Sequence, residues 1–438
     1  MADNSQYDRK KNNSTNYVHP NEQNLWEVHK AMAYNPYGRP VLTVDDDTVQ
    51  HTSTNRRKVS TKELIFFNTA QYDTAGSVWN QETTGGGTVT FDDLEAANVL
   101  SVDNTPGSEA VIQTRKIIPY VPSRQNEMII GVRLGSGRVP GIRRRVGLFD
   151  EEHGIYFENN GDEYYCVLRR QTLTGTEELR VERADWTIDK LDGLGPSGIT
   201  ADPLTQQVFV IEYEWHGSGQ VEFSWLINNN KIPIHQFNTA NVLDYPYMDT
   251  PFLPLRAECT NMSATDVGSE LYVNSFAVSS ESESVNVGAE KNAATPIIGR
   301  TASAANTFYP ILSVRLRDDR LHGVADLTDF QAATLDNTSI FYQIILNPVL
   351  TGASWVTAQP ENFVEYDVSA TSYTNGEVVK TGYLGAEQQG QLFRITRDTL
   401  NQLGRQNMGA TSDIVTVAIA TTGANKQVFA SINWLEVR

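Results

Sequence analysis

Gln207 to Trp215 reads QVFVIEYEW, and it decides the fold. Phe209, Ile211, Tyr213 and Trp215 recur at every second position. Successive side chains of a strand point to opposite faces, so four large apolar residues at period two describe one side of a packed sheet. After His216-Gly-Ser-Gly219 the pattern resumes with Val221, Phe223, Trp225 and Ile227. A Gly-rich connection between two such runs is a hairpin signal. Asn228-Asn-Asn230 then turns the chain towards Ile232 and Ile234, because Asn tolerates left-handed backbone angles. Three antiparallel strands with aromatic inner faces need a second sheet to pack against. The expected unit is a β-sandwich.

Outward from this stretch the chain stays rich in short extended runs. Val89–Phe91, Asn98–Val102, Ala110–Ile118, Met128–Leu134, Val146–Phe149, Ile155–Phe157, Tyr164–Leu168 and Leu179–Glu182 alternate and are separated by turn residues. Further runs follow at Ile311–Leu316, Ile340–Leu346, Phe363–Val368, Val378–Tyr383, Leu392–Ile395, Ile414–Ala420 and Val428–Val437. Many short strands at regular spacing make the all-β pattern of sandwiches and jelly rolls. The expected organisation is an N-terminal arm and anchor segment over 1–59, a large sandwich over 60–278, and a second sandwich over 307–438. Residues 279–306 are small, polar and acidic, and are expected to form a linker or long loop.

Two helices are expected. One short amphipathic helix spans Asn21–Ala33, with Leu25, Trp26, His29 and Met32 on its apolar stripe; these four are the candidate assembly interface. The other spans Asp398–Leu403 and is closed by Gly404.

At 438 residues the chain exceeds one ordinary domain of ~100–200 residues. Its formal charge of −18 argues against a nucleic-acid partner, which needs a basic face. Arg143-Arg-Arg145 is a local basic cluster, and solvation or pairing with acids is its ordinary explanation. Cys166 and Cys259 make no disulfide framework, and Cys166 reads as a small buried hydrophobe. The first residues lack an apolar signal core, and no stretch approaches the ~18 apolar residues that span a bilayer. No membrane partner is expected, and synthesis in a cytosol is.

The search for chemistry is short. Glu212 and Glu214 share a strand face, ~6.6–7 Å apart along the chain, a spacing compatible with a glycosidase acid pair. Solvated carboxylates on an outer sheet face are the ordinary alternative. His216 and His235 lack metal-ligand spacing, Asp45-Asp-Asp47 lacks a calcium loop, and Gly195-Pro-Ser-Gly198 lacks the spacing of a nucleophile elbow. No catalytic, metal or cofactor site is expected. Trp79, Tyr245 and Tyr247 are candidates for stacking on sugars.

Several segments together carry a resemblance. They are Tyr34-Asn-Pro-Tyr-Gly-Arg39, Gln113-Thr-Arg115, Arg145-Val-Gly-Leu-Phe-Asp150, Gly154-Ile-Tyr-Phe157, Trp186-Thr-Ile-Asp189, Trp215-His-Gly-Ser-Gly219 and Leu350-Thr-Gly-Ala-Ser354. The chain resembles a group of virion structural proteins of tailed bacteriophages. Glu214 and His216 depart from the glutamine and apolar residue expected there. The resemblance implies a non-enzymatic particle component, assembled in the bacterial cytoplasm as a homo-oligomer, with a trimer favoured. Its partners would be other virion proteins in the capsid, neck or tail. The alternatives are a carbohydrate-binding receptor protein of the tail, with a host-surface glycan as partner, and a glycoside hydrolase using Glu212 and Glu214.

Overall fold

The computed structural model describes Met32–Tyr34, Pro40–Leu42 and residues 61–437, apart from 136, 162, 203, 282–287, 358, 387–390 and 395–401. The chain divides into two compact units, Met1–Val59 and Ser60–Arg438. In the first, the described backbone is one antiparallel pair, Met32–Tyr34 with Pro40–Leu42. The helix expected over Asn21–Ala33 lies outside the described residues, Leu25, Trp26 and His29 included, except at its last two positions. Those are corrected: Met32 and Ala33 are extended. Pro36 and Gly38 follow closely, and turn-forming residues there favour a hairpin over continued helix.

Ser60–Arg438 is built from antiparallel sheets around two large hydrophobic cores, with a small separate cluster of Phe149, Tyr156 and Val167. The eight-stranded sheet runs Asn230–Phe237, Val221–Ile227, Gln207–Tyr213, Asn126–Arg133, Ser269–Glu281, Ala97–Val102 and Thr88–Asp92, with Lys62–Thr69 also paired to Ser269–Glu281. Opposite it lies a seven-stranded sheet: Gly175–Glu182, Glu163–Thr172, Gly154–Asn160, Ile142–Phe149, Leu255–Asn261, Glu109–Thr114 and Trp79–Thr84. The alternation in the opening stretch does what its period implies. Phe209, Ile211 and Tyr213 enter the core together with Val221, Phe223 and Trp225 from the next strand. The intervening turn holds Asn228 and Asn229 at φ of 52° and 63°, the left-handed region in which Asn is tolerated. Between the sheets, Phe157 stacks on Phe209 at 4.4 Å and meets Phe223 edge-on at 5.0 Å.

The second core lies between two five-stranded sheets. One is centred on Tyr309–Leu316, Ile414–Thr421 and Ile340–Leu346; the other is built on Lys426–Val437 and Val324–Thr334. Phe330 and Tyr342 meet across it at 5.5 Å. The stretch expected as a linker over 279–306 contributes strands. Ser279–Glu281 completes a long strand of the first core, and Ala289–Ala294 and Arg300–Ala302 pair with Lys426–Val437. Ladder hydrogen bonds do not require large side chains, and Ala293 and Ala302 are small enough to sit buried. Of the helix expected over Asp398–Leu403, residues 398–401 lie outside the described residues. Gln402 forms a bridge with Asp326, and the Leu403 amide donates to the Ala325 carbonyl at 2.9 Å. Described helical structure is confined to two 3₁₀ turns, Arg183–Asp185 and Asn407–Gly409.

A strap from Gln402 to Asp413 ties the second core to the edge of the first. The Arg405 amide donates to the Arg115 carbonyl at 2.6 Å, and the Ile117 amide donates to Gln402 Oε1 at 2.9 Å. Asn80 Nδ2 donates to the Arg405 carbonyl at 3.0 Å, and Arg115 pairs with Asp413 at 2.5 Å. The Arg405 guanidinium donates to the carbonyls of Leu321, Leu403 and Gly323, and burial depresses its pKa to about 9.

The aromatic seam yields a direct test. Phe157→Ala should cost about 3–5 kcal/mol, the usual range for emptying a large aromatic site in a core. Urea unfolding followed by tryptophan fluorescence measures it; a loss under about 1 kcal/mol would show that the seam does not hold the sheets together.

Candidate ligand-binding face

The residues that alternate away from the first core form a polar row across the eight-stranded sheet. Glu212 lies opposite Glu127 on one side and Glu222 on the other. Glu222 lies opposite Gln236, and Glu127 lies opposite Ser279, which in turn faces Leu64. Five strand intervals of ~4.8 Å make this row on the order of 20 Å long. Directly beside it runs a second row, Pro233, Ser224, Val210, Ile129, Ala277 and Phe67, which is largely apolar. Phe67 stands 68% exposed at its end.

Glu127 and Glu212 are buried, Glu222 is partly buried, and all three are paired, which corrects the expectation of a solvated outer surface. Glu212 is 3% exposed and Glu214 2%. Lys231 Nζ bridges Glu212 at 2.6 Å and Glu222 at 2.7 Å, and Lys62 Nζ lies 2.6 Å from both oxygens of Glu127. Charged groups out of water need such partners, since an unpaired buried charge is strongly destabilising. Burial alone would lower the Lys231 pKa, but Glu212 and Glu222 outweigh it and the net shift is upward. For Glu127, burial raises the pKa and a hydrogen bond with Glu212 adds to it, against the Lys62 ammonium. Towards its more open end the row continues as amides. Gln236 Nε2 donates to Glu222 at 2.8 Å, and Gln220 Nε2 donates to Gln236 at 3.1 Å and to Asn238 at 2.8 Å.

The pair singled out in the sequence is divided between different partners. Glu212 belongs to the lysine-bridged row. Glu214 Oε1 lies 3.2 Å from His216 Nε2, which also accepts from the Ser123 amide at 3.2 Å. The carboxyl group set against Glu212 is Glu127, some 85 residues away in sequence, which no local pattern could reveal. Phe67 was missed for the same reason, whereas Glu222 lies on the adjacent hairpin strand and its outward position was legible from the alternation of Val221 and Phe223.

Trp79 and Tyr247 are corrected as sugar-stacking candidates. Both are 2% exposed, and Trp79 Nε1 donates to Asn68 at 2.9 Å. Tyr245 is half-buried under Arg170, 4.0 Å from its ring centre. His235 is buried against Phe237, and burial depresses its pKa to about 4. Asp45-Asp-Asp47 lies outside the described residues. Gly195–Gly198 is a turn folded over Asp189, whose carboxylate accepts from the Leu191 and Ser197 amides at 2.8 Å each. Both cysteines are buried, and burial raises the Cys259 thiol to about 12.

Arg143-Arg-Arg145 divides by strand alternation. Arg144 turns to the core side and donates to Asn159 Oδ1 at 2.6 Å, to the Glu270 carbonyl at 2.9 Å and to Ser269. Arg145 pairs on the outer face with Glu258, which also accepts from Arg256 Nε at 3.0 Å. Arg143 also lies 3.9 Å from Glu258, so all three arginines have partners within the protein.

No protein family matches the sequence, and no curated protein matches it. Among solved structures, about half of the chain is similar to nearly the full length of several chains. A β-1,3-glucanase from Mycobacterium marinum matches at 11% identity over 49% of this chain and 98% of its own, with a TM-score of 0.33. The Bacillus licheniformis β-glucanase matches at 10% identity over 51% and 100%, with a TM-score of 0.34. The CBM2 module of the evolved Dit of Lactobacillus casei BL23 phage J-1 matches at 11% identity over 52% and 99%, with a TM-score of 0.34. Likeness at this level assigns neither family nor activity. The expectation that the chain is not an enzyme is withdrawn, since proteins named as glucanases stand among these similar structures.

Glu127 makes the row testable. Its folded-state pKa is raised, so its contribution to stability is present below the ordinary glutamate value and is lost as pH rises through the folded value. Glu127→Gln should therefore match the wild type at about pH 4 and gain on it towards about pH 7. Urea midpoints at the two pH values check this; a difference that does not change with pH would mean that Glu127 is not held in a raised state.

Proposed function

We propose that this chain binds a glycan across the outer face of its eight-stranded sheet, as a receptor-recognition component of a tailed-phage particle. The observation that carries the glycan part is the juxtaposition of the Glu127–Glu212–Glu222–Gln236 row with the apolar row ending at exposed Phe67. A sugar ring presents hydroxyl groups at its edge and C–H groups on its faces. Carboxylates and side-chain amides accept and donate to the first, and an aromatic ring stacks on the second. The lysine bridges hold the acceptors in fixed positions, so little ordering is left for binding to accomplish.

Placement in a particle rests on the sequence resemblance. In this proposal the 1–59 region docks on neighbouring virion proteins and the β-sandwiches face outward. The assembly is a homo-oligomer, with a trimer favoured.

A second reading is hydrolysis of the bound glycan, with Glu127 as proton donor and Glu212 as its partner. A carboxyl group held above its usual range is suited to donate a proton to a leaving oxygen. The raised pKa of Glu127 favours this pair over Glu212 and Glu214. Polysaccharide cleavage that persists unchanged in Glu127→Gln would exclude it.

Two measurements test the main proposal. On a glycan array, Phe67→Ala should weaken binding about tenfold, the loss expected on removing one stacking ring, and Glu222→Gln should weaken it less. An array with no binder, or variants that bind like the wild type, would overturn the glycan assignment. Deleting residues 1–33 should abolish incorporation into particles while the remaining chain stays folded; normal incorporation would overturn the anchoring role.

A further inference from the structure

The second core carries an aromatic pair that packing leaves outside. Ile340–Leu346 and Glu377–Leu384 are neighbours in register, with Phe341 opposite Tyr383 and Gln343 opposite Thr381. Ile340, Tyr342 and Ile344 enter the core, so alternation sends Phe341 and Gln343 outward. Tyr383 is 76% exposed and Phe341 40%, with ring centres 6.3 Å apart and planes inclined at 48°. On the next strand Phe341 lies opposite Ala420 and Gln343 opposite Ala418, both buried, so these two neighbours bring no charge beside the rings. The Tyr373 hydroxyl donates to Gln343 Oε1 at 3.4 Å and orients the amide beside the rings.

We infer that Phe341 and Tyr383, with Gln343 and Thr381, form a second glycan contact that takes a neutral sugar ring. The inference rests on the glycan-binding proposal above and extends it to a separate surface. Phe341, Gln343, Thr381 and Tyr383 include no carboxylate and no cationic group, in a chain whose formal charge is −18. An anionic sugar finds no countercharge on these residues and a cationic one finds no carboxylate, whereas ring C–H groups and hydroxyls match aromatic faces, an amide and a hydroxyl. Two rings offer far less apolar area than the ~1,200–2,000 Å² of a stable protein interface, which favours a ring-sized occupant over a second copy. Two separated contacts on one chain would let a polymeric glycan bind with avidity.

Affinity electrophoresis of the full chain tests this, in gels containing a soluble neutral β-glucan, a mannan or a dextran, with polygalacturonate as the acidic comparison. The double variant Phe341→Ala/Tyr383→Ala should lose about tenfold in retardation by the neutral polymer that retards the wild type, and Tyr383→Trp should retain it. Melting temperatures confirm that the variants fold. Unchanged retardation in the double variant overturns the second contact, even if Phe67→Ala lowers binding and so upholds the first. Loss in the double variant with no effect of Phe67→Ala upholds this contact and removes the first face. Retardation by polygalacturonate alone, by no polymer at all, or a fall in oligomer mass in the double variant would each overturn the inference.

Discussion

The structure depends on which side of each strand faces the opposing sheet, and a small set of aromatic contacts decides it for the first core. Phe157 presses on Phe209 at 4.4 Å, and Phe209 lies 5.1 Å from Trp225. A shift of one residue in register would carry every one of these rings to the other side of its sheet. With Phe209, Ile211 and Tyr213 committed inward, Val210 and Glu212 have no choice but to face outward. The polar outer face is thus the obligatory complement of the core.

Both outer faces of the first core carry charge under cover. On one, Glu127, Glu212 and Glu222 are bridged by two lysines; on the other, Glu258 lies between Arg145 and Arg256. Their electrostatics differ. Glu258 is fully buried, yet its arginine neighbours more than offset the burial and hold its carboxyl below the usual range. Glu127, with one lysine and an adjacent carboxyl group, is held above it. The arginine network is internally matched and reads as structure. The glutamate row leaves a carboxyl group inclined to keep its proton, a condition that functional sites share with some structural ion-pair networks.

How much of this was visible in the sequence follows from how local each feature is. The alternation of Gln207–Ile227 and the turn at Asn228–Asn230 are short-range, and the strands and hairpin lie where the pattern put them. The pairing of Glu212 with Glu127 and of Ala277 with Phe67 is long-range, and one sequence carries no sign of it. Strands such as Ala289–Ala294 were hidden because their side chains are small and polar while their backbone does the pairing. Trp79 misled because its surroundings looked loop-like, whereas Phe66 and Phe276 enclose its ring. At the candidate site, the sequence named Glu212 and Glu214 but not the neighbours that give Glu212 its chemistry.

Ser269–Glu281 touches Asn126–Arg133, Ala97–Val102 and Lys62–Thr69 within one sheet. Those three segments emerge during synthesis long before the strand that joins them. Until it arrives they wait with open edges and unburied rings, the state in which β-rich chains associate with one another. Loop closure over such separations is slow, so assembly of the first core should be paced by this late strand. A nascent chain of this kind would be at its most vulnerable just before residue 281 clears the ribosome.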